Sequence, residues 1–186
     1  MTLEMVVPFK YAFADEQPRT AVAVRAQKNL NLVLIENGKR RAREVLTSFG
    51  EALAATGIAA QHTVETKSMA TPMLAADVER FTDADVVVLG VGDCGGCSSS
   101  AALDAIEFRK HGVFAVVIAS TPFEYVVSMI AKQNGAPDLP YLLIEHPIWT
   151  RDEDWITARS GELATAFAEL LTDRATDAPE ISVKAS

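Results

Sequence analysis

Five short apolar runs alternate with amphipathic stretches along this chain, and that alternation limits the fold more than any other feature. Leu30 to Ile35, Ala60 to Thr66, Asp85 to Gly90, Phe114 to Ala119 and Tyr141 to Glu145 read as strands. Most are near-continuous in Val, Ile and Leu, as strands buried on both faces must be. Between them, Arg41 to Thr56, Pro72 to Phe81, Ser99 to Lys110 and Phe123 to Gln133 carry helical periodicity, and Asp154 to Leu171 follows the last strand. On the first helix Val45, Phe49 and Leu53 share one side, and Gly57 stands where a helix end is expected. Strand–helix alternation of this kind predicts a parallel sheet covered on both faces. The expected fold is a flavodoxin-like α/β three-layer sandwich, five parallel strands in the order 2-1-3-4-5.

Residues 29–171 hold this pattern and form a single domain. Residues 1–28 fall outside it, and Tyr11, Phe13 and Val22 to Val24 suggest an extension that packs on the domain or on a partner subunit. Residues 172–186 are polar, contain Pro179 and are expected to be a flexible tail. Met1 to Pro18 has no basic stretch leading into an apolar core, so no secretory signal is expected, and no apolar run approaches membrane-spanning length. A formal charge of −8 argues against nucleic acid or an anionic membrane as partner. The expected setting is the cytoplasm.

In this fold ligands bind where the strands end, near the switch point between strands one and three. The loops there are Glu36-Asn37-Gly38-Lys39, Gly92 to Ser100, Ser120 to Phe123 and His146 to Trp149. They bring together both cysteines and one of the three histidines. Cys94 and Cys97 bracket Gly95 and Gly96 on the turn from the third strand into its helix. The glycines permit a tight turn and close approach of a substrate, while helix-terminal N–H groups favour a thiolate. Inert buried cysteine is the plain alternative. In a reducing compartment such a pair is more often catalytic, redox-active or metal-binding than a structural disulfide. Zinc would want four ligands, and two cysteines with three scattered histidines supply them poorly, so no metal is expected.

His146 ends the fifth strand and is either a proton-transfer group or a turn residue beside Pro147. Ser98, Ser99 and Ser100 offer one helix cap and one hydroxyl for a substrate or thiolate. Asp93 is expected to brace the turn by an Asx-type bond. Asn37, Gly38 and Lys39 offer a substrate-binding loop, in which Lys39 either meets an anion or is solvated. Thr121 is read as the cap of the helix starting near Phe123, and Phe123 as core or pocket wall. Trp149 is a candidate lid, though Trp149 and Trp155 suit packing or a subunit contact equally. His62 and His111 have plain readings, on the surface of the second strand and at a helix end. Several motifs are absent: Ser100 stands where a low-molecular-weight phosphatase loop needs arginine, there is no Walker loop or Gly-x-Gly-x-x-Gly, and Asn37 to Lys39 is no flavin-phosphate loop. A thioredoxin-type pair would follow an early strand of a mixed sheet, not the third of a parallel one.

The run Gly90-Val-Gly-Asp-Cys-Gly-Gly-Cys-Ser98 resembles the signature of the UGSC family, named for selenocysteine-Gly-Ser-Cys. The resemblance extends through Asn37-Gly38-Lys39, Thr121-Pro122-Phe123 and Pro137-Asp138-Leu139-Pro140 to His146-Pro147, about residues 30–148. Gly96 replaces the motif serine, and Cys94 takes the selenocysteine position. The family is also distantly similar to the selenoprotein B subunits of glycine, betaine and sarcosine reductases. The resemblance implies that Cys94 is the primary nucleophile and that Cys97 resolves it through a Cys94–Cys97 disulfide. Reductive or thiol-mediated cleavage of a carbon–heteroatom bond in a small metabolite is the implied chemistry. Redox-neutral lyase or hydrolase chemistry through a cysteine adduct, and a sulfur- or metal-carrying subunit, are the alternatives. No resident cofactor is expected beyond an external thiol reductant. A small-molecule substrate, a homo-oligomer and a partner enzyme subunit are the expected partners.

Overall fold

The computed structural model describes residues 30–58 and 61–177. The expected extension over 1–28 and the end of the tail lie outside these residues. The strands are β1 Asn31–Glu36, β2 Gln61–Thr66, β3 Val86–Gly92, β4 Phe114–Ser120 and β5 Tyr141–Ile144. The helices are α1 Ala42–Thr56, α2 Ala75–Glu79, α3 Gly95–Lys110, α4 Glu124–Gln133 and α5 Glu153–Asp177. All strand pairs are parallel, in the order β2-β1-β3-β4-β5. Class, strand number and order are those the sequence predicts.

Side-chain alternation along the strands splits the core in two. Leu32, Leu34, Val86, Val88, Val116 and Ile118 face α1 and α5, where Phe49 and Phe167 meet edge to face at 5.7 Å. Val33, Ile35, Val87, Leu89, Val117 and Ala119 face α2, α3 and α4. The side of α3 that meets the sheet is built from Ala101, Ala102 and Ala105, with Phe108 at its far end. Small side chains let this helix lie close to β3 and β4. Gly57 closes α1 at a left-handed φ of 76°, its N–H on the Ala54 carbonyl, as expected of a helix-ending glycine.

Two boundaries differ from expectation in ways that matter. Helix α3 begins at Gly95 rather than Ser99, so the Cys-x-x-Cys motif is itself the first turn. Helix α5 continues to Asp177 rather than ending at Leu171. A third feature is local to β3. Its pairing with β4 runs in step from Val86↔Phe114 to Leu89↔Val117, then resumes at Gly92↔Ala119, with one extra residue on the β3 side. The slip transfers later side chains to the opposite face. Val91 accordingly lies in the α1–α5 cluster, whereas simple alternation would place it with Leu89.

Candidate active site

The cysteine turn is ordered by its own backbone. Cys94 is the N-cap of α3, and its Sγ accepts the Cys97 N–H at 3.3 Å. This takes the place of the serine cap expected from Ser98, Ser99 and Ser100. Cys94 is partly exposed and Cys97 fully buried. The two are paired as a disulfide, with Cα atoms 5.4 Å apart. The Ser98 hydroxyl donates back to the Cys94 carbonyl at 2.7 Å, and that of Ser99 to the Gly95 carbonyl at 2.9 Å. Ser98 is buried beneath Gly92 and serves the turn; Ser99 remains partly exposed. A Cβ on Gly92 would fall 2.7 Å from Ser98 Oγ and 3.1 Å from its Cα. Gly92→Ala is therefore expected to destabilise the fold by about 1–3 kcal/mol, read as a lower urea midpoint at unchanged m.

Beside the cysteines, three strand ends converge. Asp93 leaves β3, Ser120 ends β4, and His146 follows β5. The Asp93 side chain is fully buried, and its Oδ1 lies 2.7 Å from His146 Nδ1 and accepts the Ser120 hydroxyl at 2.6 Å. Its Oδ2 has no partner among the described residues. Asp93 thus reaches across the sheet edge instead of forming the expected Asx-type bond. The His146 ring is one-third exposed, with Phe123 packed edge-on at 5.7 Å. Phe123 is half-buried and belongs to neither core cluster. Thr121 is exposed and makes no side-chain cap; it starts a 3-10 turn, Thr121–Phe123, that leads into α4.

On the other side of β3, the side chain of Asn37 is committed to structure. Its Nδ2 donates to the Val91 carbonyl at 2.9 Å and its Oδ1 accepts the Lys39 N–H at 3.3 Å. The residue is buried and clamps the β1 loop onto the irregular end of β3, so it does not reach outward to a substrate. Gly38 takes a φ of 67°, and its N–H is held by Glu36 Oε2 at 2.5 Å. Lys39 is half-buried and has no ion pair among the described residues.

Residues not foreseen brace the far side of the cysteine turn. Lys67, just past β2, is ion-paired with Asp104 of α3 and hydrogen-bonded to Ser100. Asp104 also accepts the Met73 N–H at 2.7 Å. The segment between Lys67 and Met73 is thereby strapped across α3, and Ala70 would lie 3.2 Å from a Cβ at Gly96. Burial pushes the Asp104 carboxyl above its ordinary value, against the opposing pull of Lys67 and the Met73 N–H. The part of the stability that comes from protonating this carboxyl is complete below the unfolded-state value, about 3.8, and is lost as pH rises through the higher folded value; the ionised carboxylate left at neutral pH is held by its pairing with Lys67. One signal in the sequence pointed here: Asp104 stands among Ala101, Ala102, Ala105 and Ile106. The loop after β2 carries no motif.

His62 lies against the backbone of α1 at Gly50, not simply on the strand surface, and His111 caps α3 next to Glu107 as expected of a helix-end histidine. Trp149 is exposed, while Trp155 is stacked by Arg151 at 4.7 Å. Among the described residues no three of His, Cys, Asp and Glu are grouped as metal ligands, and no helix is long and apolar enough to cross a membrane.

Fold and site together define a flavodoxin-like α/β domain carrying a Cys-x-x-Cys pair at the carboxyl edge of its central strand. The chain belongs to the UGSC family, whose sequence profile matches residues 4–173. That span is wider than the motifs alone indicate. No curated protein matches the chain. Among solved structures it is similar to a diflavin flavoprotein from Nostoc sp., at 10% identity and a TM-score of 0.46, covering 81% of this chain and 99% of that one. It is also similar to the flavodoxin-like domain of a Synechococcus sp. protein, at 12% identity and a TM-score of 0.43, covering 77% and 99%.

Proposed function

We propose that this protein is a cysteine-dependent enzyme acting on a small anionic metabolite. Cys94 is the attacking thiolate and Cys97 the resolving thiol. The observation that carries this reading is the placement of Cys94 at the α3 N-terminus, where its sulfur receives a backbone N–H and touches the sulfur of Cys97. In the reductive route the Cys94 thiolate attacks the heteroatom of a C–X bond. The S–X bond forms, the C–X bond breaks, and the released carbanion takes a proton delivered by His146. The Cys97 thiolate then displaces X from Cys94, giving a disulfide and HX. An external thiol returns both cysteines to thiols and is itself oxidised to a disulfide. A cytoplasmic setting, where such reductants are maintained, belongs to this proposal. Lys39 and the open N–H groups of the glycine turn suit the anionic part of the substrate.

The Asp93–His146 contact favours a second reading, in which Cys94 attacks carbon and the adduct is released by elimination or by water, with no change of oxidation state. Intact-mass analysis of the reduced protein after incubation with metabolite pools tests both. An adduct on the wild type, missing from Cys94→Ser, supports the nucleophile. Turnover that survives Cys97→Ser selects the redox-neutral route. Stoichiometric persulfide or metal on the purified protein, with no substrate turned over, would replace both readings with a carrier role.

A further inference from the structure

We infer that Asp93 and Ser120 are positioning residues that hold His146 as its Nδ1–H tautomer and leave Nε2 as the atom that exchanges protons in the site. The inference rests on the proposed role of His146 in proton transfer. Asp93 Oδ1, Ser120 Oγ and His146 Nδ1 lie within 2.6, 2.7 and 3.2 Å of one another. Ser120 owns one hydroxyl proton. Asp93 Oδ1 at 2.6 Å receives it in preference to the Gly92 carbonyl at 3.4 Å. At 2.7 Å, Oδ1 and Nδ1 need a proton of their own between them, for without one two lone pairs would face each other. Oδ1 already accepts the Ser120 hydroxyl, and an ionised carboxylate only accepts, so that proton belongs to the ring. His146 Nδ1 is therefore the donor, and a neutral ring carries its lone pair on Nε2.

The surroundings make this arrangement fixed. The Asp93 side chain is fully buried and its Oδ2 has no partner among the described residues, so two donors, both on Oδ1, sustain it. Ser120 is one of the two. The Phe123 ring meets the imidazole at an interplanar angle of 68°, with centroids 5.7 Å apart, which limits ring rotation about the Asp93 contact. His146 Nε2 has no hydrogen bond among the described residues, and the ring is one-third exposed, so this nitrogen is open to a proton from a substrate or a thiol.

Long-range 1H–15N correlation on the reduced protein at neutral pH tests the assignment without any substrate. The chain has three histidines, and His146→Gln identifies the signal by its loss. The wild type is expected to show His146 almost wholly as Nδ1–H. In Asp93→Ala the Ser120 proton turns to Nδ1, and the majority form becomes Nε2–H. In Ser120→Ala the Nδ1–H tautomer persists, but its proton exchanges with water on the order of fivefold to tenfold faster, the loss of one hydrogen bond. A wild-type spectrum dominated by Nε2–H overturns the inference even if Asp93→Ala fails to fold. Unchanged exchange in Ser120→Ala removes Ser120 from it. The tautomer is read independently of Cys94 chemistry, so either claim can fail alone.

Discussion

Serine at position 94 is expected to abolish covalent capture of substrate and to lower turnover by a factor on the order of 10³ or more. The substitution separates chemistry from structure. Serine is among the preferred N-cap residues, and its hydroxyl can accept the Cys97 N–H that the Cys94 sulfur accepts at 3.3 Å. The α3 start and the fold should survive. What disappears is the thiol, which forms its nucleophilic anion far more readily than an alcohol does. Iodoacetamide labelling of the reduced wild type should modify Cys94 at least about tenfold faster than Cys97, since only the thiolate reacts and Cys97 is fully buried. Cys94→Ser should lose the fast phase. Equal, slow labelling of both cysteines, or an adduct that persists in Cys94→Ser, would reject the nucleophile assignment.

Alanine in place of Asp104 is expected to cost about 3–5 kcal/mol of stability at neutral pH. Lys67 and Asp104 have side chains only 4% and 2% exposed, so neither charge is solvated once its partner is gone. Removing the carboxylate strands the Lys67 ammonium with only the Ser100 hydroxyl, and it leaves the Met73 N–H without its acceptor. The double variant Lys67→Met with Asp104→Leu should recover most of the loss, because a buried ion pair often contributes little net stability over an apolar pair of similar size. Urea unfolding of the three variants gives the comparison. A cost under about 1 kcal/mol for Asp104→Ala would mean that water reaches the pair and that the strap over α3 is loose. The effect matters beyond stability, because the same strap brings Ala70 against Gly96 in the cysteine turn.

Much of this architecture is legible in the order of residues. Runs such as Val86-Val87-Val88-Leu89 leave a strand no solvated face, and Val45, Phe49 and Leu53 repeat at helical spacing. Five strands separated by helices then leave few ways to build a parallel sheet. Expectation and structure part where one residue type can serve two purposes. Three consecutive serines look like a helix cap, yet a cysteine sulfur takes that position and the helix begins a turn earlier. Asn37 looks like a loop residue for a ligand, but the nearby Val91 carbonyl needs its amide.

The sequence by itself determined the layered α/β fold, the strand order and the position of Cys94 and Cys97 at the carboxyl edge, because hydrophobic period and chain connectivity are properties of the linear chain. Tertiary structure alone decided what surrounds the pair. The one-residue slip in β3 moves Val91 to the opposite face just before Asp93. Asp93, Ser120 and His146 come from the ends of three different strands, and Lys67 reaches Asp104 from a fourth region of the chain. Hydrogen bonds and ion pairs of this kind depend on register and on angstrom-scale separations across the sheet, which a pattern of apolar and polar residues does not encode.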